Sequence, residues 1–288
     1  MKLSIKTKIV LILIVGFLAP NAWAQDDYQG SGSKRELIDL RNIDRVIARR
    51  PLLIAHRGGV ITPSIPECSL AAISAASQFG YDLVELDIQA SADGEPFVFH
   101  DDSLDKACGV EGTVAKLTAK ELESITFTAN GEPIPHLKDA LALCATEKLG
   151  VMLDIKSKGE QAFYSRVVAL LERYQLLNAT MCIGNPKSLR PYFGDRVMLR
   201  MSDTERKTLE SGDVLDLSGK FWFGLPQMLP SEMVTKYQDR GLLVIPALNT
   251  FRYKEASHQA DAKADSIRLR EAQVDGFQID SVYQDLFR

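Results

Sequence analysis

The feature that most constrains the fold is a regular alternation of short apolar runs with segments of helical periodicity. Strands are predicted at 52–55, 82–88, 96–100, 150–155, 179–183, 196–201, 220–224, 242–248 and 275–279. Helical patterns between strands are typical of βαβ units and of a mainly parallel sheet. About eight strands in a chain of 288 residues favour a closed (β/α)8 barrel, the TIM barrel, over an open doubly wound sheet.

The predicted helices occupy most of the gaps between these strands. They lie at 36–49, 68–79, 137–147, 160–175, 187–193, 230–240 and 255–273. Residues 101–137 form a longer, loop-rich segment that lacks a clear strand pattern. We therefore expect an α/β barrel with a small insertion after its second strand.

The first residues carry the pattern of an export signal. Three lysines precede the apolar run IVLILIVGFLAP, and the AWA sequence at 22–24 has the small-x-small pattern of a signal-peptidase site. We expect residues 1–24 to be a signal peptide, 25–50 a polar lead-in and helix, and 51–288 the barrel. This predicts an exported protein, periplasmic or secreted, with no stable membrane anchor. An uncleaved anchor is the alternative, although the apolar run is short for a membrane span.

Net charge limits the class of partner. The full chain carries −4, and residues 1–24 contribute three lysines and no acid, so the charge without them is −7. An acidic surface disfavours nucleic acid or an anionic membrane as the main partner. A small anionic substrate would then need a local cationic pocket. Nothing in the sequence indicates an oligomeric state.

The four cysteines are too few for a disulfide scaffold. An exported protein can form a bridge, and if one exists we expect it between Cys68 and Cys108, which both lie in loops. Cys182 lies in an apolar run and is predicted to be a buried thiol. No cysteine has a histidine base placed beside it by a recognisable motif, which disfavours a cysteine nucleophile.

Five ionisable residues lie at the ends of predicted strands: His56, Glu85, Asp87, His100 and Asp154. Because the strand ends of a barrel meet at one mouth, we expect these side chains to converge. Imidazoles transfer protons near neutral pH, and carboxylates are preferred ligands of hard cations. The combination favours metal-assisted cleavage of a phosphoester, although a lone histidine at a strand end is more often structural.

The acids on the second strand are two residues apart, so they share one face. Glu85 and Asp87 lie on the same side as Leu83, while Val84 and Leu86 take the other side. Neighbouring carboxylates repel each other, and each pKa rises unless a cation lies between them. A bound Ca²⁺ or Mg²⁺ would remove this conflict. The alternative is a pair of solvated acids with salt-bridge partners.

Other charged residues repeat or extend this pattern. Arg57 offers a planar set of donors suited to phosphate. Asp154 and Lys156 share a strand face, either as metal ligand and phosphate-binding group or as a plain ion pair. Glu67 either approaches the metal or caps the following helix. Two further polar residues end later strands and are expected to line the pocket, Asn249 and Asp280.

The motifs form a recognisable set. They are HRGG (56–59), PECS (66–69), ELD (85–87), HDD (100–102) and DIK (154–156). This set resembles the glycerophosphodiester phosphodiesterase family, which has an HRG, a PEN-type loop, an ExD strand, an HD pair and an acid-x-Lys strand. The likeness covers 52–158 and is loose beyond. It implies a TIM barrel that hydrolyses glycerophosphodiesters to glycerol 3-phosphate and an alcohol.

The resemblance also implies a role for each candidate residue. It assigns the general acid and base to His56 and His100, the metal ligands to Glu85, Asp87, Asp154 and Glu67, and phosphate binding to Arg57 and Lys156. The implied cofactor is a divalent cation, Ca²⁺ or Mg²⁺, and the implied partner is a small phosphodiester.

Three features depart from the family pattern. Asp154 stands where most of the family has glutamate, so its carboxylate is one methylene shorter. Cys68 replaces the asparagine that usually follows Glu67. The segment FRYKEASHQADAKADSIRLR at 251–270 is an unusual charged insertion. The shorter acid could change the preferred metal or substrate.

Two other functions stay open. One is another lipid phosphodiesterase on the same barrel, of sphingomyelinase D or phospholipase C type. An apolar lip around the pocket would favour it, and the candidates for that lip are Phe221, Trp222, Phe223 and Phe251. The other is a non-catalytic binding protein that keeps the fold.

Overall fold

The structure is a computed structural model that describes residues 36–156, 161–184, 186–213 and 215–288. The predicted signal peptide and the first part of the lead-in, up to residue 35, lie outside the described residues. The strands are β1 (Leu52–Ala55), β2 (Leu83–Ala90), β3 (Pro96–Val98), β4 (Gly150–Ile155), β5 (Thr180–Ile183), β6 (Met198–Arg200), β7 (Lys220–Gly224), β8 (Leu243–Leu248) and β9 (Gly276–Ile279).

The helices of the described chain alternate with these strands. They are α1 (Ile43–Arg49), α2 (Leu70–Gln78), α3 (Asp105–Cys108), α4 (Ala119–Leu122), α5 (Leu137–Glu147), α6 (Gln161–Arg173), α7 (Pro186–Phe193), α8 (Asp203–Glu210), α9 (Ser231–Gln238) and α10 (His258–Glu271). Among the described residues, no helix combines the length and apolar character needed to cross a bilayer.

Eight parallel strands of the described chain close into a barrel. Their order around the ring is β1-β2-β4-β5-β6-β7-β8-β9, and β9 pairs again with β1. This closure confirms the predicted TIM barrel. The predicted strand 96–100 is not one of the eight barrel strands, because β3 pairs antiparallel with the end of β2 and lies outside the ring. It is instead the second strand of the β2–β3 hairpin, whose turn contains Asp93 and Gly94.

Alternate residues of each strand fill the barrel interior. The interior cluster contains Leu52, Ile54, Leu83, Met152, Met181, Met198, Phe221, Leu243 and Ile245. Their neighbours in sequence, such as Val84 and Leu86, pack outward against the helices. This confirms the face assignment made for β2. Side chains alternate between the two faces of a strand. The second residue after the last interior residue of a strand therefore also points toward the barrel axis, at the mouth of the barrel.

Residues 36–49 cover the amino-terminal end of the barrel and do not form one long helix. Ile38 and Leu40 are 2% exposed and join the interior cluster. The helix α1 begins only after Asn42, whose side chain accepts a hydrogen bond from the Arg45 amide. Ile47, on the predicted apolar face, is 51% exposed. The prediction of a helix over 36–49 was therefore wrong in its first half.

The insertion has a small core of its own. Its buried side chains are Phe97, Phe99, Leu104, Cys108, Val114, Leu122, Phe127 and Ile134. The four cysteines are buried and unpaired. Cys108 belongs to this core, whereas the Cys68 sulfur lies 3.7 Å from a carboxylate oxygen of Asp87. The structure has no disulfide among these four cysteines, so the conditional Cys68–Cys108 pairing does not arise, and the buried thiol at Cys182 is confirmed.

Three of the described helices were not predicted from the sequence: the one-turn helices α3 and α4 of the insertion, and α8, which follows Ser202. Ser202 and Glu205 form a capping box, in which each side chain bonds the other residue's backbone amide. The motif SDTE was therefore the missed signal. The short helix brings its first residues to the carboxyl-terminal mouth of the barrel.

Candidate active site

The polar residues at the barrel mouth continue the interior faces of the strands. His56 follows Ile54 by two residues, and Glu85 follows Leu83 in the same way. They line one cavity of about 430 Å³. Seven of the eight predicted site residues line it, namely His56, Arg57, Glu85, Asp87, His100, Asp154 and Lys156. Glu67 lies beside the cavity and contacts two of these residues.

Three carboxylates form a cluster on β2 and β4. One oxygen from each of Glu85, Asp87 and Asp154 lies within 4.8 Å of the others. Asp87 and Asp154 are direct partners in the parallel register of these strands. The shorter side chain of Asp154 therefore still reaches the cluster. Glu67 is not in this cluster and instead groups with His100 and Asp101, a second set of side chains whose ligand atoms lie close enough to hold a cation, so its role as a metal ligand stays a prediction.

The electrostatics of the cluster favour a bound cation. Burial raises the pKa of Glu85 well above its ordinary value, and repulsion by Asp87 raises it further. The Arg57 backbone N–H donates to Glu85 at 2.8 Å and opposes this rise. Both acids are at most 2% exposed, so water cannot screen their charges. Three ionised carboxylates and one lysine leave two negative charges, which fits a divalent cation.

That lysine bridges two members of the cluster. The Lys156 ammonium lies 3.0 Å from Asp87 and 2.6 Å from Asp154. Burial acts to lower the pKa of Lys156, but the attraction of both carboxylates outweighs it and raises the pKa above its ordinary value. An ammonium has three donors, so two contacts leave one for a substrate oxygen. The predicted role in phosphate binding stays a prediction.

His56 is held by an acid from the last strand. Its Nδ1 lies 2.5 Å from Asp280, and the Asn249 amide lies 3.2 Å from the same nitrogen. The other Asp280 oxygen accepts hydrogen bonds from the amide and hydroxyl of Thr250. Burial acts to raise the pKa of Asp280, but the hydrogen bond and charge of His56 outweigh it and hold the pKa below its ordinary value. Nε2 is left for proton transfer.

The β2–β3 hairpin brings His100 back to the mouth. The Phe99 amide donates to the Asp87 carbonyl at 3.0 Å, which places the next residue beside the carboxylate cluster. The side chain of Gln89 donates to the carbonyls of Phe99 and Asp101, at 2.9 Å each. His100 Nδ1 lies 2.8 Å from the Asp101 carboxylate. Both histidines therefore have an acid at Nδ1, which orients the ring.

Arg57 combines a structural contact with an unused donor. Its backbone is left-handed, with φ 53°, which turns its amide toward Glu85. Its guanidinium donates to Glu67 at 2.9 Å. Within the part of the chain that the structure describes, its buried Nε has no hydrogen-bond partner. A guanidinium has five N–H donors, and Glu67 takes one of them, so the cavity-lining Arg57 side chain has donors that suit an oxyanion.

The HRGG turn depends on close contact with α2. A Cβ on Gly59 would lie 2.0 Å from the Ala72 carbonyl oxygen, and the φ of Gly59 is +146°. We expect Gly59→Ala to lower the free energy of unfolding by about 3 kcal/mol, through overpacking and backbone strain. Gly80→Ala is the control, since Gly80 also has positive φ but no atom within 4 Å of its Cβ. Urea unfolding of both variants measures this, and equal losses would contradict the role of the contact.

The far wall and rim contain residues that sequence analysis missed. Arg200 ends β6 two residues after the interior residue Met198, so strand parity was the available signal. Met228 lines the cavity at its rim and is 59% exposed. Of the aromatic residues predicted to form a lip, Phe221 lies in the barrel interior. Trp222, Phe223 and Phe251 line the cavity, but Trp222 is only 3% exposed, whereas Phe251 is 57% exposed.

Fold and cavity together define a TIM-barrel protein with an acid-rich pocket and two acid-paired histidines at its carboxyl-terminal mouth. The sequence model of the glycerophosphoryl diester phosphodiesterase family matches residues 56–188, just under half of the chain. This confirms the resemblance inferred from the motifs. The matched range contains all eight predicted site residues but not Asp280 or Arg200.

Curated relatives share part of the chain. Glycerophosphodiester phosphodiesterase 1 of Rattus norvegicus is 31% identical over 185 residues, which cover 62% of this chain and 51% of the relative. A glycerophosphodiester phosphodiesterase of Caldanaerobacter subterraneus is 33% identical over 114 residues, covering 38% and 46% respectively. The chain thus matches about half the length of these relatives.

Solved structures share the fold. A phosphodiesterase of Oleispira antarctica, in complex with the product sn-glycerol-3-phosphate, aligns with a TM-score of 0.64 and 21% identity over 84% of this chain and 98% of that one. A glycerophosphoryl diester phosphodiesterase domain of Mycobacterium tuberculosis aligns with a TM-score of 0.65 and 19% identity, covering 82% and 98%. At these identities the likeness supports the barrel fold alone.

Proposed function

We propose that this protein hydrolyses glycerophosphodiesters to glycerol 3-phosphate and an alcohol, with the help of a divalent cation. The observation that carries this is the meeting of two acid-paired histidines, a buried three-carboxylate cluster and the Arg57 side chain in one cavity. The family assignment and the printed names of the relatives support the same activity. Because the site residues are all in place, a non-catalytic binding protein is disfavoured.

In this proposal the two histidines act as general base and general acid. One imidazole accepts the proton of the nucleophile, and the other donates a proton to the oxygen of the departing alcohol. The nucleophile is water or the neighbouring glycerol hydroxyl. Arg57 binds a non-bridging phosphate oxygen through guanidinium N–H groups that do not bind Glu67. When bound by Glu85, Asp87 and Asp154, Ca²⁺ or Mg²⁺ supplies positive charge beside the phosphate.

Product release tests the proposal directly. The full chain is incubated with glycerophosphocholine and each cation, and glycerol 3-phosphate is measured. Release by the wild type, absent from a His56→Ala/His100→Ala double variant, would support the activity and exclude a contaminating enzyme. Release of phosphocholine in place of glycerol 3-phosphate would contradict the proposed bond cleavage. No release of either product would contradict the activity.

The rim supports a second candidate, a lipid phosphodiesterase. Met228 follows β7 and Phe251 follows β8, and these strands are neighbours in the ring, so the loops place two exposed apolar side chains on one side of the mouth. Such a rim suits a substrate that keeps an acyl chain. Lysophosphatidylcholine and sphingomyelin in the same assay separate the candidates. A higher kcat/KM for either lipid than for glycerophosphocholine would favour the second.

Asp280 is expected to act through His56. We expect Asp280→Asn to lower kcat by about 100-fold with little change in KM, because the acid orients the ring and stabilises its protonated form. Its stabilising contribution is complete above the ordinary carboxyl pKa of 3.8 and is lost as pH falls through the lowered value. The difference in Tm between wild type and variant should therefore shrink in acid. Steady-state kinetics and thermal unfolding across pH measure both effects. An unchanged kcat would exclude the role.

Export is part of the same proposal. It rests on the signal pattern of residues 1–24, which the described part of the chain does not include. An exported enzyme would meet glycerophosphodiesters outside the cytoplasm, in the periplasm or the medium.

A further inference from the structure

The wall of the cavity that faces the catalytic groups has no role in the chemistry described so far. It is formed by the end of β6 and the start of α8, which contribute Arg200, Asp203 and Arg206. In the ring order, β6 is four strands from β1 in either direction. Arg200 therefore lies across the mouth from His56, where a group attached to a bound phosphate would extend.

Arg200 differs from Lys156, Arg57 and Arg206, which line the same cavity, in lacking an acid partner. Lys156 is paired with two carboxylates of the cluster. Arg57 is paired with Glu67, and Arg206 with Glu210 at 2.9 Å. By contrast, no described residue forms an ion pair or hydrogen bond with the Arg200 guanidinium, which is half-buried. A half-buried unpaired cation favours binding of an anion beside it.

The second cation without an acid partner lies near the rim. The Arg252 guanidinium stacks on the Phe251 ring, 4.3 Å from its centre, and no described acid pairs with it. Arg200 and Arg252 are thus the two cations lining the cavity that no described acid pairs with, and they are available to a second anionic group on the substrate, besides the phosphodiester itself.

The chemistry of the substrate shows where that group would be. The glycerol side of a glycerophosphodiester carries only neutral hydroxyls. A second charge can therefore lie only on the alcohol side. We infer that Arg200 is a specificity residue that binds an anionic group on the alcohol, so that the preferred substrates carry a carboxylate or a further phosphate there. This inference rests on the proposed function and narrows its substrate class.

A matched pair of substrates isolates this contact. Glycerophosphoserine differs from glycerophosphoethanolamine by one carboxylate, so the ratio of their kcat/KM values measures its recognition. We expect a wild-type ratio of about 10 or more in favour of glycerophosphoserine, the size of one charged hydrogen-bonded contact. Arg200→Gln should lower the ratio by about 10- to 100-fold, and Arg200→Lys by less, because lysine keeps the charge but not the planar donors.

Arg206→Gln is the control, since this arginine lines the same cavity but is already paired. It should keep the wild-type ratio, and circular dichroism should show all variants folded. A wild-type ratio near one would overturn the inference, and so would equal losses on both substrates in Arg200→Gln, which would place the guanidinium on the shared phosphate. If the wild type releases glycerol 3-phosphate from neither substrate, the proposed function itself fails.

Discussion

Replacing His56 or His100 by alanine is expected to lower kcat by about 10²- to 10⁴-fold, the usual contribution of a positioned acid or base. Each ring lines the cavity with its Nδ1 on an acid, which leaves Nε2 for proton transfer. Neither ring belongs to the hydrophobic core, so the barrel should stay folded. Kinetics on glycerophosphocholine and thermal unfolding of each variant measure the two effects.

The control for this series is a histidine outside the cavity. His258 bonds the Tyr283 hydroxyl and has no contact with the carboxylate cluster, so His258→Ala should keep a near-normal kcat. The pH profiles carry further information, because loss of an acid and loss of a base remove opposite limbs of a bell-shaped profile. A variant at His56 or His100 that turns over at the wild-type rate would exclude that residue as acid or base.

Removing the divalent cation is expected to abolish turnover and to destabilise the fold. Without a cation, Glu85 and Asp87 are buried acids that repel each other and lack full neutralisation. Added Ca²⁺ or Mg²⁺ at about 100 times its Kd should stabilise the protein by about 2.7 kcal/mol through linkage. Glycerol 3-phosphate release and Tm, measured after EDTA treatment and after each cation is restored, test the expectation and identify the metal.

Variants of the cluster separate this effect from a general salt effect. Glu85→Gln and Asp87→Asn should remove both the metal-induced rise in Tm and the activity. Asp203→Asn changes an acid of the same cavity that is outside the cluster, so its response to metal should be kept. Turnover that persists in exhaustively chelated protein, together with a Tm insensitive to both cations, would show that the carboxylates serve another purpose.

Much of the fold could be predicted because its signals are local. The period of two along β2 assigned Glu85 and Asp87 to the face of Leu83, and that face is the barrel interior. The same rule applied to Met198 would have identified Arg200. The first helix was predicted too long because Leu40 and Ile43 have apolar spacing, although Asn42 between them is a helix cap. A local cap outweighed a periodic pattern there.

The sequence alone determined the alternation of strands and helices, the faces of the strands and the types of candidate site residue, because each depends on neighbours a few residues apart. Closure of the ring decided which groups meet. It brought Asp280 to His56 across 224 residues and aligned Asp154 with Asp87. The hairpin returned His100 to the mouth from a strand outside the barrel. Such contacts depend on strand order and side-chain reach, which only the tertiary structure establishes.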